Sequence, residues 1–288
     1  MKIAVMTDVN AGLDYVGYDT GIFVLRSSIN FPNEKPLVDG IDILADEFYN
    51  RISKITKASE IPSTSAPSVA DIYDTIDNLI KEGYTDVLHY PISFELSSTG
   101  STVQKIAEEY KDKINIHVIN TKTAAYIQGY IAIVAKQMVD EGKSIEEIIN
   151  YSKFLIEHNT AYFLVNDLGY LVKNGRLSNA AGFLGTLFKI KPILQLTEEG
   201  KIKSIEKVKS YQKAIDRIIE LVLKYIEKCK NPQLFAFHSL NEETLKIVIE
   251  KIRLARKDIK DIPIHYITPA VGAHIGCGII GIAAFLLD

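Results

Sequence analysis

The sequence predicts an α/β protein with two α/β domains, the first of which has a mainly parallel sheet. Short apolar runs alternate with helical patterns along the first part of the chain, which is typical of βαβ units. After Asn166 this alternation gives way to a short helical segment and a hairpin-like pair before it resumes. We therefore predict domains at residues 1–165 and 166–288. The composition, 47% hydrophobic and 24% charged, is that of an ordinary globular protein.

The first domain begins with an apolar run at residues 2–6, a strand followed by a polar turn. Residues 21–28 predict a second strand, and residues 42–55 carry apolar side chains at helical spacing. The segment 62–67 is too rich in proline for regular structure, and Ser68 begins the next helix as a capping residue. The alternation then predicts a strand at 86–92, a helix at 102–110, a strand at 114–120, helices at 124–140 and 144–158, and a strand at 160–165.

The second domain opens with a short helix at residues 167–175 that ends in glycine. An apolar segment at 180–187 follows, and then two strands at 189–196 and 201–209 joined by a hairpin turn. The remaining pattern predicts a helix at 211–228, a strand at 233–237, a helix at 242–255 and a strand at 263–266. We expect the last strand to return towards the first domain and to bring His274 with it.

Charge and cysteine content exclude several function classes. A net charge of -3 gives no reason to expect nucleic-acid binding. The two cysteines fit a reducing cytoplasm and exclude a disulfide framework, and no spacing matches a metal site. The first apolar run is a strand rather than a signal peptide, and the apolar tract at 278–287 is too short to span a bilayer. We expect a cytoplasmic protein.

Residues 91–101 place a cluster of hydroxyl groups between a buried strand and a helix. In an open α/β sheet, ligands bind outside the carboxyl ends of the strands. The start of the following helix offers unpaired N–H groups that favour an anion. An ordinary loop with one capping residue explains the same pattern about equally well.

Four hydroxyl-rich or acidic segments follow predicted strands or precede helices: Thr7-Asp8, Ser63–Ser65, Ser93 with Ser97–Thr99, and Thr121 with Thr123. In a parallel sheet such loops share one edge, so they are able to converge on one site. Neutral hydroxyls near helix N-termini suit a carboxylate or a phosphate without a metal. For Thr121 and Thr123 we favour helix capping instead.

Two features of the second domain allow more than one interpretation. His274 is either an anion ligand or base, or a core histidine that bonds to the backbone. Residues 173–209 are locally basic, which indicates either a solvated hairpin face or a surface for an anionic partner. The string Gly276-x-Gly278-x-x-Gly281 is not a dinucleotide site, because the required strand and acidic residue do not follow it.

As an ordered set, several motifs resemble the DegV family, the fatty-acid-binding subunits of bacterial fatty acid kinase. They span almost the whole chain: Thr7-Asp8, Thr64-Ser65-Ala66-Pro67-Ser68, Pro91-Ile92-Ser93 with Leu96-Ser97, Asp167-Leu168-Gly169-Tyr170-Leu171 with Gly175-Arg176-Leu177-Ser178, Ile190-Lys191-Pro192-Ile193-Leu194, and His274-Ile275-Gly276.

This resemblance implies a non-catalytic protein that buries a long-chain fatty acid in a tunnel between its two domains and needs no cofactor. It places the carboxylate at Thr64, Ser93 and His274. It also implies a separate ATP-dependent kinase that forms the acyl phosphate, with Arg176 and Lys209 facing that partner, and it allows transient contact with a membrane surface. Secondary candidates for the carboxylate are Ser63, Ser65 and Ser97.

Some motifs depart from the family pattern. Ser98 stands where the family usually has glycine, and Ile275 and Cys277 replace a threonine and a proline. Lys209 stands where the family usually has arginine, which removes bidentate anion recognition. These changes affect ligand and partner details more than the fold.

A hydrolase or acyl transferase is the alternative from another functional class. It would use Ser93 or Ser97 as nucleophile, His274 as base and Asp8 to orient the base. The chain has no Gly-x-Ser-x-Gly nucleophile elbow.

Overall fold

A computed structural model describes residues 2–178 and 191–288. The apolar segment expected at 180–187 lies outside the described residues. The strands are β1 (Ile3–Asp8), β2 (Phe23–Leu25), β3 (Ser28–Asn30), β4 (Leu37–Val38), β5 (Ser63–Ser65), β6 (Asp86–Tyr90), β7 (Asn115–Val118), β8 (Asn159–Leu164), β9 (Leu177–Ser178), β10 (Lys191–Leu196), β11 (Ile202–Val208), β12 (Pro232–His238), β13 (Ile264–Tyr266) and β14 (Ile280–Leu286). The α-helices are α1 (Ala45–Ile52), α2 (Val69–Lys81), α3 (Thr99–Tyr110), α4 (Ala125–Asp140), α5 (Ile145–Glu157), α6 (Gly169–Lys173), α7 (Tyr211–Tyr225), α8 (Glu242–Ala255) and α9 (Pro269–Ile275).

The first sheet has the order β2-β1-β6-β7, and every neighbouring pair is parallel. The predicted α/β class and parallel first sheet are therefore confirmed. Ile72 of α2 and Val103 of α3 are fully buried against β1 and β6 in one hydrophobic cluster. Because all four strands run the same way, the loops after β1, β2 and β6 leave the sheet at one edge.

A small antiparallel sheet, β4-β3-β5, lies beside this edge. The prediction of irregular structure at 62–67 is wrong for β5, because its backbone pairs with β3. The single strand predicted at 21–28 is also wrong. It divides so that β2 joins the first sheet and β3 joins the small one.

The second half forms a seven-stranded mixed sheet with the order β13-β12-β14-β8-β10-β11-β9. Strand β8 pairs with β10 and β14, so its hydrogen bonds place it in this sheet although the division at residue 165 groups it with the first domain. Strand β14 lies between β12 and β8, and its Phe285 packs against Tyr130 of α4. His274 is carried by helix α9, which packs on β3, β5 and α1.

Helix starts agree with the sequence in most places. Ser68 accepts a hydrogen bond from the Asp71 amide, and Ser144 forms a complete capping box at α5. The capping role that we favoured for Thr121 and Thr123 is wrong. Ala124 occupies the N-cap position of α4 and provides no side-chain cap, and the Thr121 hydroxyl donates to the Pro91 carbonyl at 2.7 Å.

Candidate functional site

A cavity of about 180 Å³ opens at the carboxyl edge of the first sheet. The loops after β1, β2 and β6 contribute to its wall, together with β5 and α9. Its lining combines polar and apolar residues: Asn10, Ser27, Thr64, Ala66, Ile92, Leu96, Ser97, Ser98, Ala124, Arg176, Ile202, Ala270, Val271, His274 and Ile275. The edge that the sequence indicated is therefore where a ligand-sized space lies.

Thr64 and His274 meet in this cavity although they lie far apart in the chain. Thr64 Oγ1 and His274 Nε2 are 2.8 Å apart. Side chains alternate along a strand, so β5 turns Thr64 inward and leaves Ser63 and Ser65 exposed. Asn30 of β3 donates to the Ser65 hydroxyl at 2.9 Å.

The N-terminus of α9 is held by its own capping residue and by a buried carboxylate from another segment, and this sets the position of His274. Thr268 caps the helix, and Pro269 occupies its first turn. The buried Asp39 carboxylate accepts a hydrogen bond from the Ala270 amide at 2.7 Å. Burial raises the pKa of Asp39 to about 7, because a desolvated carboxylate is disfavoured.

Burial and charge keep His274 neutral at neutral pH. Burial, and then the positive charge of Arg176, lower the pKa of His274 to about 4. The Nδ1 atom of His274 is buried without a hydrogen-bond partner among the described residues. A neutral imidazole of this kind has one N–H to donate, and its tautomer decides which nitrogen carries it.

Ser93 lies in the loop after β6, which contributes to the cavity wall, but its hydroxyl points away from the cavity. Ser93 is fully buried and does not line the cavity. Its Oγ donates to the Gly200 carbonyl at 2.8 Å, and its backbone amide donates to the Thr123 carbonyl. This contact joins the turn between β10 and β11 to the first half of the molecule.

Ser97 does line the cavity, near the start of α3. Its Oγ lies 3.0 Å from the Thr99 hydroxyl and accepts a hydrogen bond from the Thr99 amide. Ser97 is partly buried, so its hydroxyl is within reach of a ligand in the cavity.

The two basic residues expected at a partner surface occupy different places. Arg176 lies on the cavity wall, where its Nε donates to the Leu96 carbonyl at 3.2 Å. Lys209 is exposed just beyond β11 and does not line the cavity. Arg176 therefore lines the cavity and brings a permanent positive charge to its wall.

Asn10 and Ser27 line the cavity but were absent from the sequence-based candidates, whereas Ser98 belonged to the predicted segment Ser97–Thr99. Asn10 and Ser27 each follow a strand of the first sheet, as the predicted loops do. Position after a strand of the parallel sheet is therefore a signal for lining residues even where no hydroxyl cluster accompanies it.

Buried carboxylate and hydroxyl groups hold the loops of the first sheet together. Asp8 accepts hydrogen bonds from the Ile92 amide at 2.8 Å and from the Asn10 side chain at 2.7 Å. Burial raises the pKa of Asp8, against the effect of these hydrogen bonds. Of the four predicted segments, two contribute polar lining to the cavity through Thr64, Ser97 and Ser98. Asp8 does not line the cavity, but its hydrogen bonds hold the loop after β6 against the loop after β1.

A narrower, apolar cavity of about 40 Å³ adjoins the first one. The two share Ala124, Ile202, Val271 and Ile275. The remaining lining is wholly apolar and comes from both halves of the chain: Ala125, Ile127, Phe163, Leu196, Phe237 and Ile267. We call these two adjoining cavities the passage, with the first cavity and its polar lining residues as the mouth and the second, apolar cavity as the interior.

The proposed hydrolase residues do not form a relay. Ser93 donates to a carbonyl, His274 contacts Thr64, and Asp8 is bonded to Ile92 and Asn10. No hydrogen bond recorded for the described residues joins any two of Ser93, His274 and Asp8. The nucleophile–base contact that such chemistry requires is therefore missing from this arrangement.

Residues 2–178 and 191–288 contain neither a metal-binding cluster nor a membrane-spanning helix. No group of three or more histidine, cysteine or acidic side chains there is arranged to hold a metal ion. Within the same residues, no helix has the length and apolar character needed to cross a membrane.

Comparisons with known proteins agree over the full length. The family model described as uncharacterised proteins of the DegV family matches residues 2–286. A DegV domain-containing protein of Staphylococcus aureus is 31% identical over 283 residues, covering 98% of this chain and 96% of the relative.

Solved structures show the same fold. A fatty acid binding DegV family protein from Streptococcus agalactiae is 29% identical, covers 100% of both chains and superposes with a TM-score of 0.89. DegV from Bacillus subtilis, a fatty acid binding protein, is 28% identical with a TM-score of 0.86, covering 99% of both chains. The chain therefore belongs to the DegV family.

Proposed function

We propose that this protein binds a long-chain fatty acid, with its acyl chain in the apolar passage and its carboxylate in the polar mouth. The observation that carries the proposal is the pairing of Thr64 with His274 in a cavity that continues into wholly apolar lining. A small number of polar groups at one end of an apolar pocket fixes the orientation of an amphipathic ligand. The names of the related proteins from Streptococcus agalactiae and Bacillus subtilis support the same ligand class.

The mouth offers the carboxylate both hydrogen bonds and charge. Thr64, Ser97 and His274 supply neutral donors, and Arg176 supplies a positive charge beside them. A hydrogen bond to a charged group contributes about 1.5–3 kcal/mol. Each buried methylene adds about 0.8 kcal/mol, so the acyl chain provides most of the affinity and the mouth fixes its direction.

The earlier candidates divide between the mouth and its supports. Ser93 acts as a support, since its hydroxyl is bonded to the Gly200 carbonyl. Ser63 and Ser65 face outward on β5. Thr64, His274, Ser97 and Arg176 are therefore the residues that we assign to the head group.

We also propose that the protein is a non-catalytic carrier that presents the carboxylate to a separate ATP-dependent kinase and then holds the acyl phosphate. The mouth opens beside Arg176, whose side chain is partly exposed. A phosphoryl group formed there would carry more negative charge than the carboxylate, and Arg176 is placed to stabilise it. Lys209 on the surface would contact the kinase, and exchange of the fatty acid would involve brief contact with a membrane surface.

Substitution of Thr64 tests the head-group assignment. Thr64→Val keeps the side-chain shape and removes the hydroxyl, so fatty acid affinity should fall about tenfold or more, as expected when a hydrogen bond to a charged group is lost. Binding is measured by titration calorimetry with palmitate, and native mass spectrometry shows whether a fatty acid co-purifies with the wild type. Ser63→Ala, on the same strand but facing outward, is the control and should leave affinity unchanged.

Two outcomes would overturn the proposal. One is a wild-type protein that neither co-purifies with a fatty acid nor binds one when it is added. The other is steady hydrolysis of a chromogenic ester that disappears in Ser93→Ala, which would favour the hydrolase alternative.

A further inference from the structure

The apolar end of the passage lies on one face of the seven-stranded sheet. Phe163 of β8, Gly281 of β14 and Phe237 of β12 are directly paired across three neighbouring strands. Side chains of directly paired residues project from the same face of a sheet. Both phenylalanines line the narrow cavity and form what we call its floor, and Gly281 lies between them in the sheet.

Gly281 is required here for space rather than for an unusual backbone conformation. A β-carbon at this position would lie 2.1 Å from Cε2 of Phe237 and 2.9 Å from Cβ of Phe163. Contacts that short are not tolerated, so the ring of Phe237 occupies the place that any other residue's side chain would fill. The ring therefore lies over the sheet at the floor of the passage.

The size of the apolar end makes this ring important. A cavity of about 150 Å³ holds one benzene molecule, whereas the apolar end measures about 40 Å³. Further methylenes can enter only where a lining side chain gives way. Phe163 and Phe237 have the largest side chains in the apolar lining, and the ring of Phe237 keeps its present position only because Gly281 has no side chain.

We propose that Phe237, seated over Gly281, sets the depth of the acyl passage and hence the chain length that the protein prefers. This inference rests on the proposed fatty-acid-binding function. The side chain at 237 acts as a specificity-determining residue, and the glycine at 281 determines how far its ring intrudes.

Replacement of the ring should favour longer acids. In Phe237→Leu, the ratio of the dissociation constants for dodecanoate and octadecanoate should rise about tenfold over the wild-type ratio. One buried methylene is worth about fourfold in affinity, and the smaller side chain admits about two more. Titration calorimetry with saturated acids of increasing length measures the profile.

The opposite change should have the opposite effect. In Gly281→Ala, the new methyl group displaces the Phe237 ring into the passage, so shorter acids should be preferred. The ratio of the dissociation constants for dodecanoate and octadecanoate should fall about tenfold below the wild-type ratio. In the double variant Phe237→Leu/Gly281→Ala, the smaller side chain accommodates the methyl group, and the preference for longer acids should return.

Phe235 provides a matched control on the same strand and the same face. It is as buried as Phe237, but it packs against Tyr130 and Phe285 rather than lining the cavity. Phe235→Leu should lower the thermal unfolding midpoint and leave the chain-length profile unchanged. Circular dichroism checks that each variant is folded, and both Phe→Leu variants keep an apolar side chain at the position.

The results separate this inference from the proposed function. Suppose that the wild type binds fatty acids and that Phe237→Leu and Phe235→Leu both keep its chain-length profile. The depth assignment is then wrong, while fatty acid binding stands. If the wild type binds no acid of any length, the proposed function itself fails.

Discussion

The two main sheets contribute to the passage in different ways. The first sheet contributes through its edge, where loops after parallel strands bring Asn10, Ser27 and Ser97 to the polar mouth. The second sheet contributes through its face, where Phe163 and Phe237 form the apolar floor. An edge presents backbone and short polar side chains, whereas a face presents a continuous apolar surface.

This difference indicates how each end of the passage is stabilised. The mouth depends on buried hydrogen bonds, such as those that Asp8 accepts from Ile92 and Asn10. The floor depends on close packing around Gly281. Loss of a single polar atom should therefore damage the first region most, while a change of side-chain volume should act mainly on the second.

The largest effect that we expect comes from Asp8→Ala. The substitution leaves the buried donors of Ile92 and Asn10 unpaired, at a cost of about 3–5 kcal/mol in the free energy of unfolding. Urea denaturation followed by circular dichroism measures this loss. Asp140→Ala, which removes an exposed ion pair with Lys136, should cost less than about 1 kcal/mol. Equal losses in the two variants would show that the first edge does not depend on its buried carboxylate.

The pH dependence of stability sharpens the comparison at the mouth. The pKa of His274 is lowered to about 4 in the folded protein, below its usual value of about 6.5. Between these values the unfolded chain binds the extra proton, so the contribution of His274 is present above about pH 6.5 and is lost as the pH falls towards 4. The loss from this residue is at most about 3 kcal/mol.

Other buried groups titrate too, so the measurement is a difference between variants. Burial lowers the pKa of His89 to about 3 and that of His265 to about 4, and it raises the pKa of Asp39 to about 7. The wild type and His274→Gln should therefore differ in the slope of unfolding free energy against pH between about 4 and 6.5, with the flatter curve in the variant. Parallel curves would mean that His274 titrates normally in the folded protein.

Much of the fold was accessible from the sequence because local signals dominate it. Alternating apolar runs and helical patterns predicted the parallel first sheet, and Ser68 and Ser144 marked helix starts correctly. The edge carrying the polar loops followed from the parallel arrangement alone. That step required only the direction of the strands.

Contacts between distant segments were not accessible in this way. The strand at β5 exists because β3 pairs with it, and β8 joins the second sheet because β10 and β14 flank it. The position of Phe237 over Gly281 depends on the register of two strands, and the partner of Ser93 is a backbone carbonyl. Every residue has a backbone carbonyl, so the residue types in the sequence do not indicate which carbonyl accepts this hydrogen bond.

Ser93 joins the two regions, and its replacement should have the smallest effect. Ser93→Ala leaves the Gly200 carbonyl without its donor, so the free energy of unfolding should fall by about 1 kcal/mol. The exposed Lys201–Glu95 ion pair beside Ser93, at 3.6 Å, adds little to this stability.

The Ser93 hydroxyl is bonded to the Gly200 carbonyl and not to the cavity, so palmitate affinity should change less in Ser93→Ala than in Thr64→Val. Ser97→Ala, whose hydroxyl does line the cavity, is the control and should show the reverse pattern. Equal losses of affinity in Ser93→Ala and Thr64→Val, with unchanged stability, would show that Ser93 turns from the Gly200 carbonyl to the ligand and belongs to the mouth.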